Sequence, residues 1–149
     1  MNISILDRLL DGSFGDRDGF VVAPGDAPEA LRRDLEFLLN TRNHFGVALA
    51  DDWPEASRSV LAYGLADAEE CMLANGHEIE ELRAKVERSL AVFEPRLEQV
   101  EVRVLEAPRP MTQEVVLEIR GVLKLNAEDV IWNSTLRGSV VVVRKSEGS

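Results

Sequence analysis

The chain has 149 residues, 45% of them hydrophobic and 30% charged, which is the make-up of one ordinary globular domain. Its 27 acids against 17 bases give a net charge of −10, which excludes the basic footprint of a nucleic-acid binder and disfavours an anionic membrane surface. The single cysteine, Cys71, excludes an internal disulfide and a cysteine-built metal site.

No apolar run approaches the roughly 18 residues of a membrane span, and the start, MNISILDRLL, lacks a secretory signal's basic opening. A cytoplasmic protein is expected. Residues 1–93 hold 18 acids and 9 bases, whereas residues 94–149 hold 9 acids and 8 bases. The acidity therefore belongs to the first part, as a solvated surface or as a complement to a basic partner.

In chain order, Leu6, Leu9 and Leu10 keep helical spacing in a short N-terminal segment. Residues 11–26 carry four glycines and four aspartates, the composition of a loop. Residues 1–25 thus read as a short helix with a flexible loop, ahead of a single domain over 26–149. Asp26, Pro28 and Glu29 form a helix start, and Leu31, Leu35, Leu38 and Leu39 predict a helix over about 28–41.

An irregular stretch follows. Ser57–Tyr63 reads as a short helix stopped by Gly64, and Asp67 caps another through Leu73. Asn75-Gly76 reads as a turn. Ile79, Leu82, Val86, Leu90 and Phe93, spaced by three and four, predict the clearest helix, over 77–93. Pro95 ends it, because the residue before a proline is pushed out of helical angles.

After that the period changes to two. Val100, Val102 and Val104 alternate with Glu101 and Arg103 in a strand over 99–105. A second strand, 113–125, places Val115, Leu117, Ile119, Leu123 and Leu125 on one side, with Gly121 at a bulge. Residues 126–129 read as a turn, 130–133 are ambiguous, and 136–145 form a last strand. Helices first and strands last predict an α+β fold, with helices packed on an antiparallel sheet of at least three strands.

Little in the chain has the pattern of catalysis. His44 and His77 stand apart without a metal-ligand motif, and no cofactor is expected. Gly12, Gly15 and Gly19 lack a P-loop's lysine and preceding strand, and Asp16, Asp18 and Gly19 only partly match a calcium loop. There is no G-x-S-x-G, and Cys71 lies among acids that work against a thiolate. Glycoside hydrolysis needs two facing carboxylates, but with this many acids a pair can always be nominated.

Two features suit protein contact instead. In Phe93-Glu94-Pro95-Arg96-Leu97 the proline fixes the backbone, so Glu94 and Arg96 stand at a defined separation between helix and strand. Opposite charges on a rigid corner suit docking, and an internal salt bridge is the alternative. Val140, Val141, Val142 and Val143 have no polar face. They are either buried on both sides or lie at a sheet edge that could accept a partner's strand.

Five stretches, in order, resemble the baseplate wedge proteins of contractile injection machines, most closely the TssE family of bacterial type VI secretion. They are Ser4–Leu10 (SILDRLL), Leu31–Arg42 (LRRDLEFLLNTR), Ser59–Leu65 (SVLAYGL), Ile79–Leu97 ending in FEPRL, and the strand pattern beyond. Glu-Pro-Arg is the family hallmark, and N-T-R and Y-G-L stand at the expected places. The family's frequent Y-G-L-P-D is here Tyr63-Gly64-Leu65-Ala66-Asp67.

The resemblance implies a non-catalytic α+β subunit that joins larger baseplate wedge subunits, with Glu94, Pro95 and Arg96 as the docking corner. It also implies contact with sheath subunits around Val140–Val143, helping to template sheath assembly by strand sharing, in a complex assembled at the inner membrane. A peptidoglycan hydrolase and a regulatory adaptor of the same fold are the alternatives.

Overall fold

A computed structural model describes residues 27–43, 53–65, 76–107, 114–138 and 140–146. The expected N-terminal helix and Gly/Asp loop, the helix over 67–73, His44 and Cys71 lie outside the described residues, as does Asn75 of the expected turn. Two helices, α1 (Ala27–Asn40) and α2 (Gly76–Phe93), pack on one face of a four-stranded antiparallel sheet. The strands β1 (Leu97–Glu106), β2 (Glu114–Leu123), β3 (Glu128–Arg137) and β4 (Val140–Lys145) lie side by side in sequence order. The α+β prediction is thus met, and the sheet has one strand more than the expected minimum.

The helices form where the leucine spacing places them. In α1, Leu31, Leu35, Leu38 and Leu39 are all buried, with Ala30 beside them. In α2, Ile79, Leu82, Val86 and Leu90 make one buried stripe. The strands answer with their alternate residues: Val102 from β1, Val115, Leu117, Ile119 and Leu123 from β2, Val130, Trp132 and Leu136 from β3, and Val141 and Val143 from β4. Each fully buried side chain of this size contributes about 1.5–3 kcal/mol through removal from water. The core is therefore one continuous layer between helices and sheet. α2 runs against β1 and α1 against β4.

Four details differ from the sequence reading. The expected helix at 57–63 is two single 3-10 turns, Ala56–Arg58 and Val60–Ala62, separated by Ser59 in extended conformation. The segment 136–145 is not one strand. Its register pairs Arg137 with Val140, and Gly138 supplies the positive φ (57°) on which the chain reverses. The turn between β2 and β3 is Lys124–Ala127, so Glu128 and Asp129 already belong to β3 and Leu125 is 55% exposed.

The bulge expected at Gly121 sits opposite it, on β1. Pairing passes from Glu98↔Val122 directly to Glu101↔Arg120, with Gln99 at φ 51°. A Cβ at 121 would lie 3.2 Å from Leu97 Cδ2, a tight contact where the bulge crowds the strand.

Candidate docking corner and sheet edges

The corner at 94–96 is built by the end of α2. The Glu94 amide donates to the Leu90 carbonyl at 2.9 Å, completing the last helical turn, and the Leu97 amide donates to the Glu94 carbonyl at 3.2 Å. Between them Pro95 holds the chain at its fixed φ and is exposed. On leaving the corner, the Arg96 carbonyl accepts from the Lys124 amide at 3.0 Å, which ties the turn into the sheet.

The charged pair turns inward. Glu94 is only 5% exposed. Arg96 Nε donates to Glu94 Oε1 at 2.6 Å and Nη2 to Glu94 Oε2 at 2.7 Å, a two-pronged contact. The same Nη2 donates to Asp34 Oδ2 of α1 at 2.5 Å. Burial alone would pull the Arg96 pKa down, but the bonds to Glu94 and Asp34 outweigh it and hold the guanidinium above its ordinary value. Of the two arrangements the sequence leaves open, the internal salt bridge is the one that forms within the chain. Pro95 and part of the Arg96 side chain remain at the surface.

Three motifs far apart in sequence meet here. Tyr63 stacks edge-on against Phe93, with ring centroids 5.3 Å apart and planes at 72°. Its phenol is held above the usual tyrosine pKa, first by burial and then by the Asp34 and Glu94 carboxylates. Gly64 has φ 106°, and a Cβ there would collide with the Thr41 carbonyl oxygen. Leu65 and Asn43 close the contact: the Leu65 amide donates to Thr41 O at 2.8 Å and the Asn43 amide to Leu65 O at 3.2 Å. Ser89 of α2 donates to Gly64 O at 3.2 Å. Asn-Thr-Arg, Tyr-Gly-Leu and Glu-Pro-Arg are thus parts of one knot joining α1, α2 and β1.

The valine run is an edge strand, because β4 is the last strand of the sheet. Val141 and Val143 are buried at 4% and 1%, while Val140 and Val142 are 56% and 38% exposed on the opposite face. The run therefore has one apolar face in the core and one outside. The backbone groups along its outer edge are not free. Asn40, Glu36 and Arg32 of α1 bond the main chain of Val141 and Val143.

Among the described residues, no group of three or more His, Cys, Asp or Glu is placed to hold a metal ion. Asp34 and Glu94 are two carboxylates that converge, but both are engaged by one guanidinium, whose nitrogen lies between them. Each carboxylate is thus already paired with the guanidinium. No helix among the described residues is long and apolar enough to cross a membrane.

The family described as baseplate wedge protein gp25 matches residues 26–128, a span that takes in α1, the three-motif knot, α2, β1 and β2. The chain belongs to this family and is a baseplate wedge protein. Among solved structures, a chain of "The baseplate complex from the type VI secretion system" has the same fold, with a TM-score of 0.57 at 14% identity, over 76% of this chain and 94% of that one. No curated protein sequence matches.

Proposed function

We propose that this protein is a non-catalytic wedge subunit in the baseplate of a type VI secretion machine, docking on larger baseplate subunits through the corner at Glu94, Pro95 and Arg96. The observation that carries this reading is the family match over residues 26–128, which contains the entire knot of motifs at that corner. The likeness to a chain of a type VI baseplate complex, nearly complete over that chain, supports it.

In this reading the three residues do different work. Glu94 lies inside and fixes the guanidinium from beneath, with Asp34 fixing it from the side. Pro95 and the outward part of Arg96 are what a neighbour would touch. A preformed corner loses little freedom on docking, and preorganisation of that kind improves affinity without adding contacts. The β4 end, Val140–Val143, is the proposed contact with sheath subunits. Two exposed valines there present an apolar strip at the rim of the sheet.

The test is co-purification of the intact chain with the larger baseplate subunits, using Pro95→Ala and Arg96→Lys. Both variants should remain folded and bind more weakly. A zymogram on purified cell walls separates this reading from the hydrolase alternative, since a lytic band would reverse it.

A further inference from the structure

Both outer strands of the sheet are closed by the same device. In α1, Arg32 Nε donates to Glu29 at 2.9 Å and Nη1 to Glu36 Oε2 at 3.0 Å. The same Nη1 also donates to the Val143 carbonyl at 2.8 Å, and Glu36 Oε2 accepts from the Val143 amide at 3.0 Å. In α2, Arg83 Nε donates to Glu80 at 2.6 Å and Nη1 to Glu87 Oε2 at 2.9 Å. There Nη1 reaches the Val102 carbonyl at 3.3 Å, and Glu87 Oε2 accepts from the Val102 amide at 3.0 Å. The two helices thus repeat Glu-x-x-Arg-x-x-x-Glu, and each repeat satisfies one residue's outward amide and carbonyl on the edge strand it covers.

Asn40 extends the first clamp by one step. Its side-chain amide donates to Val141 O at 2.7 Å and accepts from Val141 N at 2.8 Å, pairing as another strand's peptide group would. The spacing makes this possible. Four helical residues rise about 6 Å, and two strand residues about 6.8 Å. Residues 36 and 40 therefore stay level with 143 and 141.

We infer that these clamps lock the sheet edges against strand addition, and that what they exclude is pairing with a second copy of this chain. An edge with unpaired amides and an apolar strip, as Val140 and Val142 would give β4, is a template for a like strand. Here the helices occupy the outward hydrogen-bonding positions of Val141 and Val143 on β4 and of Val102 on β1. A partner's strand adds to β4 only after Arg32, Glu36 and Asn40 release Val141 and Val143. The lock concerns the isolated chain alone and stands apart from the baseplate reading.

Amide exchange of the wild-type protein and self-association of an unlocked variant test it together. The Val102, Val141 and Val143 amides should exchange at least about tenfold more slowly than that of Val104, which faces the same edge as Val102 by the two-residue alternation and is bonded by none of the clamp residues. Equal rates would overturn the lock, whatever the variants do. Arg32→Ala/Glu36→Ala/Asn40→Ala should shift from monomer to larger species across a concentration series in sedimentation velocity. Adding Val142→Lys should restore the monomer, because an edge lysine opposes pairing. Arg58→Ala, an exposed charge removed elsewhere, should stay monomeric. A folded triple variant that stays monomeric at every concentration would overturn the inference, and so would association that Val142→Lys leaves unchanged. If the triple variant does not fold, the exchange rates decide.

Discussion

Arg96 and Asp34 are 62 residues apart in sequence, yet a guanidinium nitrogen of one lies 2.5 Å from a carboxylate oxygen of the other. This bond joins the corner after α2 to the middle of α1. With the two-pronged contact to Glu94 it makes one cation the hub of two carboxylates. A rigid corner follows from that sharing.

Removing the hub should be costly. Arg96→Ala leaves the Glu94 carboxylate, 7% exposed, without its partner. The expected loss is about 2–4 kcal/mol, a little below the range for fully buried pairs because Arg96 keeps some water contact. Were these charges solvated at an outer corner, the substitution would be nearly silent. Urea unfolding decides, and a loss within about 0.5 kcal/mol would place the pair back at the surface. Arg96→Lys keeps the charge but loses the fork, so its cost should be the smaller one.

Gly64 should not tolerate alanine. Its φ of 106° is disfavoured for any side chain, and the added methyl would strike the Thr41 carbonyl oxygen. The strain and the displaced 41–65 bridge together should cost about 2 kcal/mol or more. Thermal unfolding of Gly64→Ala measures it.

The chain has one tyrosine, so the absorbance titration of its phenolate reads Tyr63 alone. Burial and the nearby carboxylates raise its pKa in the folded protein. An acid that holds its proton more tightly when folded makes stability fall as pH rises past the unfolded value, about 10. Titration in buffer should therefore give a midpoint above that in urea, with stability declining only on the alkaline side. Coincident midpoints would mean that Tyr63 is open to water.

Ser134 on β3 is fully buried and its hydroxyl has no hydrogen-bond partner among the described residues. Ser134→Ala removes an unsatisfied polar atom at nearly constant volume. It should leave stability unchanged or raise it by up to about 1 kcal/mol. Destabilisation in chemical unfolding would show that the hydroxyl has a partner in solution.

The elements were legible because burial wrote them. Leu31, Leu35, Leu38 and Leu39 repeat with the helical turn, and Val115, Leu117 and Ile119 alternate with the pleat, so helix and strand followed from period alone. The β3–β4 reversal was not, because two residues between valine- and leucine-rich segments barely interrupt a strand pattern. What spacing could not supply was which polar residues meet. Arg32 and Glu36 stand between the leucines of α1, and only the placement of α1 along β4 makes them partners of Val143. The repeated Glu-x-x-Arg-x-x-x-Glu was visible in both helices and was the available signal. Likewise Glu-Pro-Arg was marked as a rigid corner, but its direction depended on Asp34, which the sequence reading did not connect to it.

Whether the folded corner docks this chain on its larger baseplate neighbours, as proposed, is decided by binding measured with those purified subunits. The wild-type chain should bind in a fixed ratio. Pro95→Ala and Arg96→Lys, shown to be folded, should bind more weakly by roughly 2 kcal/mol, about thirtyfold, as expected for residues central to an interface. Undiminished binding by both folded variants would contradict the corner's role, and no binding by the wild-type chain would contradict the assembly reading itself.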